Sequence, residues 1–217
     1  MSARDEILAR VRAALRDVPD SPPAEDSPID WEYGRPATMP DLLGRFAERV
    51  ADYRATVARR PGREVPAAIV EAILGQGIDS VVIPSGASAS WARTVSAAGV
   101  RVFRDDPPLS AEELDGIGAV VTAAAAGIAE TGTIVLDHAP DQGRRALTLL
   151  PDLHVCVVRA DQVVPDVAQA VVRLAPAVAD RGRPLTWISG PSATSDIELD
   201  RVEGVHGPRT LHVILAE

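Results

Sequence analysis

Between Asp41 and Glu217, short runs of Val, Ile and Ala alternate with longer segments whose apolar residues recur every three or four positions. This alternation constrains the fold more than any other feature. Residues 41–58, 64–77, 88–99 and 165–182 carry the helical period, and residues 79–84, 100–103 and 119–123 read as short buried strands. A strand that reaches its neighbour through a helix pairs with it in parallel, and the helices then cover both faces of the sheet. Beyond Gly118 the pattern tightens. Residues 118–139 predict two strands joined by a small-residue turn, and residues 144–160 predict two more with Pro151 between them. Runs linked so closely favour antiparallel pairing. Pro165 and Gly182 bracket the last long helix, Pro176 should kink it, residues 194–202 predict a short helix, and 184–189 and 210–217 predict strands. The expected class is α/β, with a mixed, largely parallel sheet flanked by helices.

Residues 1–38 stand apart. Ile7, Leu8, Val11 and Leu15 mark an amphipathic helix, and a stretch dense in Pro, Asp and Ser follows it, with Trp31 and Tyr33 as anchors. The expected division is an N-terminal helical arm over 1–38 and an α/β domain over 39–217. The arm is a candidate contact between copies of the chain.

Composition excludes several functions. Apolar residues make up 46% of the 217, which suits a folded core, but aromatics are only 3%, too few for stacking platforms on single-stranded nucleic acid. The net charge of −9 and the lack of basic clusters beyond pairs such as Arg144–Arg145 argue against nucleic-acid and anionic-membrane partners. A small anion is still compatible, because a local field can oppose the global charge. The single cysteine, Cys156, lies in an apolar run and cannot by itself hold a cluster or a structural zinc. No signal core or membrane-length run is seen, so a cytoplasmic protein is expected.

In open α/β sheets, ligands gather beyond the carboxyl ends of strands. Three segments are expected there: 84–88, 129–133 and 189–196. Ser195 and Glu198 fit a capping box, whereas Gly190, Pro191, Ser192, Thr194 and Asp196 form a turn whose amides and hydroxyls suit an anion. Glu130, in a turn with Thr131, Gly132 and Thr133, either fixes that turn or acts as a general base or nucleophile. His206, between glycines on a tight loop, suits proton transfer, or else only bonds its turn. His154 is a candidate to face the same crevice, His212 reads as structural, and His138 and Asp141 are too isolated for a metal site.

Taken together, residues 129–133, 149–158, 190–198 and 204–215 resemble, in order and spacing, the lactate-utilization proteins of the LutC/YkgG type, the LUD domain family. The resemblance spans about residues 40–217. It implies a fold like that of the NagB/RpiA/CoA-transferase superfamily. It also implies a place in the oxidation of L-lactate to pyruvate, beside LutA- and LutB-like partners that carry the iron–sulfur clusters. This chain would then be a non-redox component without a cofactor, binding a small carboxylate or a partner in a crevice. Glu130 and His206 would be its catalytic candidates, and Thr131, Gly132, Thr133, Gly190, Pro191, Ser192, Thr194 and Asp196 its ligand contacts. The alternative from the same superfamily is a stand-alone CoA-transferase or sugar-phosphate isomerase that uses Glu130.

Overall fold

A computed structural model describes residues 2–18, 38–191 and 207–217. Its contacts divide the chain into two compact units, Met1–Arg35 and Pro36–Glu217. In the first, α1 (Ala3–Ala14) opens with a capping box between Ser2 and Asp5, and none of its residues is buried. The expected helix over 194–202, the capping box of Ser195 and Glu198, and the anchors Trp31 and Tyr33 lie outside the described residues.

The second unit is built on two sheets. In chain order its elements begin with α2 (Leu42–Asp52), β1 (Thr56–Arg60), α3 (Val65–Leu74), β2 (Ser80–Val82), α4 (Ala89–Ala97), β3 (Arg101–Phe103) and α5 (Ala111–Asp115). They continue with β4 (Ala119–Ala123), β5 (Ala126–Ile128), β6 (Thr133–Leu136), β7 (Leu153–Arg159), β8 (Val163–Val164), α6 (Val167–Arg181), β9 (Thr186–Ile188) and β10 (Thr210–Ala216). The larger sheet runs β1-β10-β7-β4-β2-β3, with every pair parallel. The smaller runs β8-β5-β6-β9, with β6 antiparallel to both neighbours and β8 parallel to β5.

Strand alternation assigns the faces. Leu153, Val155 and Val157 of β7 join Ile214 of β10 in a core under α3 and α4, with Ile69, Ile73 and Val95. The intervening Cys156 and Val158 face the other way, with Val213 and Leu215, into a second core filled by Phe46 and Val50 of α2 and by Ile134 and Leu136 of the smaller sheet. On the smaller sheet's outer face, Ala170 and Leu174 of α6 pack on Ala126, Ile128 and Val135. Asp166 caps α6 through the Gln169 amide at 2.8 Å, and Gly182 ends it at φ 57°. The helix runs through Pro176, on a side where Val172 is 75% exposed. Water can therefore satisfy the carbonyl that loses its donor there.

Three expected segments fold differently. Residues 41–58 are not one helix: α2 stops at Asp52, Arg54 takes φ 64°, and β1 follows beside β10. Pairing with a strand some 150 positions away overrides the local helical period. Residues 118–139 hold three strands rather than two, because the chain leaves the larger sheet after Ala123 and enters the smaller at Ala126. Residues 144–160 hold one strand, not two. Arg145–Thr148 is a 3-10 turn, closed by the Arg145 guanidinium on the Thr148 carbonyl and hydroxyl at 3.0 and 2.8 Å. β7 has no local partner and pairs in parallel with β4 and β10.

Candidate functional site

Because β10 runs parallel to β7, the segment feeding β10 arrives at the amino end of β7, as does the 3-10 turn that precedes β7. Thr210 accordingly donates to the Asp152 carbonyl at 3.0 Å. The chain leaving β9 comes to the same place, and between these three segments lies a cleft of about 90 Å³. That is several times the roughly 10–15 Å³ that one water needs. Its walls are Arg145 and Thr148 from the turn, His154 from β7, Thr186–Pro191 from β9 and its exit, and Gly207, Pro208 and Leu211 entering β10. The site thus lies at the amino ends of two strands of the larger sheet, not beyond their carboxyl ends.

Of the charged side chains among the described residues, only Arg145 lines the cleft. The adjacent Arg144 is engaged by Asp105, with Nε to one carboxylate oxygen at 2.7 Å and Nη2 to the other at 2.9 Å. Arg145 has no carboxylate partner among the described residues. Among the described residues it bonds Thr148 through Nη1 alone, and its Nε and Nη2 edge has no partner there. Partial burial draws its pKa down, but a guanidinium remains charged. A half-buried cation with an open two-donor edge is matched by a carboxylate, which accepts two parallel N–H bonds.

The uncharged groups are fixed from behind. His138 Nδ1 donates to the Gly143 carbonyl at 2.9 Å. Its Nε2 lies 2.8 Å from the Thr186 hydroxyl. His154 is fully buried, with Nε2 2.8 Å from Thr122 Oγ1. Burial first, and then the nearby Arg145 charge, push its pKa down to about 3. Cys156 is also buried, and its thiol is pushed up to about 12.

The structure brings Gly190 and Pro191 to the cleft, along with His154 and Gly207, the residue after His206. Ser192, Thr194, Asp196 and His206 themselves lie outside the described residues. Glu130 is exposed on the β5–β6 turn and is not among the described residues that line the cleft; its amide donates to the Pro165 carbonyl at 3.0 Å. Thr131, Gly132 and Thr133 act on the wall from behind. A hydroxyl chain runs from Thr131 to Thr133 and on to Ser189, both steps 2.8 Å, and Ser189 lines the cleft. Gly132 presses on the backbone of α2. Arg145, Thr148 and Thr186 had no local signal that marked them as site residues, whereas Ser189 opens the expected segment 189–196. Among the described residues no group of three or more His, Cys, Asp or Glu could hold a metal ion, and no helix is long and apolar enough to cross a membrane.

Two sheets sandwiched by helices, with a small cationic cleft where three loops meet, define a mixed α/β protein with a largely parallel main sheet. Residues 110–216 match the LUD domain, and the chain belongs to the LUD domain family. It is 52% identical over 180 residues to "Lactate utilization protein C" of Deinococcus radiodurans, covering 83% of this chain and 82% of that one. It is 30% identical to an uncharacterized protein of Neisseria meningitidis, over all of this chain and 94% of that one. The crystal structure of a DUF162 family protein from Deinococcus radiodurans aligns with a TM-score of 0.71 at 44% identity, over 84% of this chain and 100% of that one.

Proposed function

We propose that the protein serves lactate utilization, and that its cleft holds a small carboxylate. Within that role it would be the non-redox component of a system that oxidises L-lactate to pyruvate, with the iron–sulfur clusters on LutA- and LutB-like partners. The name of the Deinococcus relative supports the pathway. The observation that carries the ligand class is the open guanidinium edge of Arg145 in a cleft with no carboxylate among its described walls. A chain of net charge −9 concentrates a small anion only where a local cation outweighs the global field. Ser192, Thr194, Asp196 and His206, continuous in sequence with Pro191 and Gly207, are assigned to the same ligand. Glu130 is kept as a candidate acid–base group on the neighbouring turn.

Growth of a deletion strain on L-lactate tests this reading. The wild-type gene should restore growth, and Arg145→Gln should leave it severely impaired on lactate and normal on pyruvate. Full restoration by an Arg145→Gln chain whose melting temperature matches wild type would end the proposed role of the cleft. Full restoration by both Glu130→Gln and His206→Ala would remove those two residues from the site.

A further inference from the structure

The most deeply buried polar ring in the cleft is that of His154, 1% exposed. Behind it lies a chain of hydrogen bonds with a defined end. Thr122 Oγ1, 2.8 Å from His154 Nε2, donates to Cys156 Sγ at 3.7 Å, and the thiol donates to the Ala123 carbonyl at 3.8 Å. A carbonyl only accepts, and a hydroxyl has one proton to give. If the Thr122 proton goes to sulfur, its oxygen must accept from the ring, so Nε2 carries the ring proton. This direction uses three donors, N–H, O–H and S–H, whereas the reverse uses two and leaves Nδ1–H without a partner among the described residues. The thiol keeps its proton, since burial pushes it up to about 12, and the ring carries only one, since burial holds it down to about 3. Nδ1 is thereby left as an acceptor with no hydrogen bond to the described residues.

We propose that His154 is a specificity-determining residue, whose Nδ1 acceptor selects carboxylic acids with a hydroxyl on the carbon next to the carboxylate over the corresponding 2-oxo acids. The inference rests on the reading of the cleft as a carboxylate site. Arg145 and His154 both line the cleft of about 90 Å³, so an acid anchored on Arg145 would lie beside His154. A 2-hydroxyl there donates to Nδ1, whereas a 2-oxo oxygen sets one lone pair against another and leaves the acceptor unpaired. Thr122 and Cys156 are positioning residues that act only through the ring. The site would thus retain the hydroxy acid and release its oxidised form.

Calorimetric titration of the full chain with L-lactate, pyruvate and propionate, together with 15N NMR of the labelled histidines, tests this. The expected result is lactate binding tighter than pyruvate and propionate by about tenfold or more, the scale of one hydrogen bond gained or left unmade. In the same wild-type protein, His154 should show a protonated Nε2 and an unprotonated Nδ1. Thr122→Val should bring the three affinities together by weakening lactate alone. A proton on Nδ1, or pyruvate binding as tightly as lactate, overturns the inference. Equal binding of all three acids that is lost in Arg145→Gln would do so while leaving the carboxylate cleft intact. No binding of any acid would overturn both. The NMR assignment needs no variant, so a Thr122→Val chain that fails to fold does not rescue the idea.

Discussion

Gly132→Ala should destabilise the protein by about 3 kcal/mol or more, the largest effect expected of a single methyl group in this fold. A Cβ at Gly132 would lie 2.5 Å from the Arg49 carbonyl carbon, 2.6 Å from its oxygen and 2.7 Å from the Val50 nitrogen. These are backbone atoms of α2, which cannot rotate away as a side-chain tip could. The residue also holds φ 64°, a left-handed conformation that costs a non-glycine residue roughly 1–2 kcal/mol. Gly99 separates the two contributions, since it has φ 86° and a methyl group added there would meet nothing within 4 Å. Gly99→Ala should cost only the conformational part, about 1 kcal/mol. Urea midpoints of the two variants provide the comparison, and equal shifts would show that the close approach of the turn to α2 contributes nothing. The same movement would pull Thr133 from Ser189, so Gly132→Ala should also loosen the wall of the cleft.

Acid should unfold this protein earlier than its surface carboxylates alone would require. His154 titrates at about 3 in the folded chain against an ordinary value of 6.5, because burial and the Arg145 charge both disfavour the imidazolium. The unfolded chain therefore binds a proton that the folded chain refuses between pH 6.5 and about 3. The stability it confers is complete above pH 6.5 and falls as pH drops through that window. At pH 4.5 the two units below 6.5 amount to about 3 kcal/mol at roughly 1.4 kcal/mol per unit. His212, whose pKa is also lowered by burial, adds to the loss in the same sense. Urea midpoints from pH 7 to pH 4.5 should fall steeply for wild type and less steeply for His154→Gln, which cannot take the proton. Parallel profiles would mean that His154 is not held neutral by its surroundings.

Much of this fold is visible in hydropathy alone, because a strand buried on both faces must be apolar throughout. The runs at 79–84, 119–123 and 210–217 announce β2, β4 and β10 for that reason. β1 escapes because Thr56–Arg60 has two arginines and continues the spacing of α2, and the break at Arg54 uses neither glycine nor proline. The turn Arg145–Thr148 resembles a strand because its Leu and Thr are compatible with either state, and its closure depends on a side chain bonding its own backbone. The division into two sheets happens within a run of alanines that carries no period at all. The site divides in the same way. Gly190 and Pro191 stand out locally, since only a turn tolerates that pair. Arg145 does not, because its difference from Arg144 is made by Asp105, some 40 positions away. The expectation of strand carboxyl ends holds for the exit of β9, whereas the other two segments that meet at the cleft lead into the parallel strands β7 and β10 rather than out of them.

A crystal structure of the chain grown with L-lactate addresses the carboxylate cleft most directly. The acid should lie between the Arg145–Thr148 turn and the exit of β9, its carboxylate paired with Nε and Nη2 of Arg145. Lactate bound at the Glu130 turn, or anywhere else while the Arg145 edge faces only water, would contradict the account.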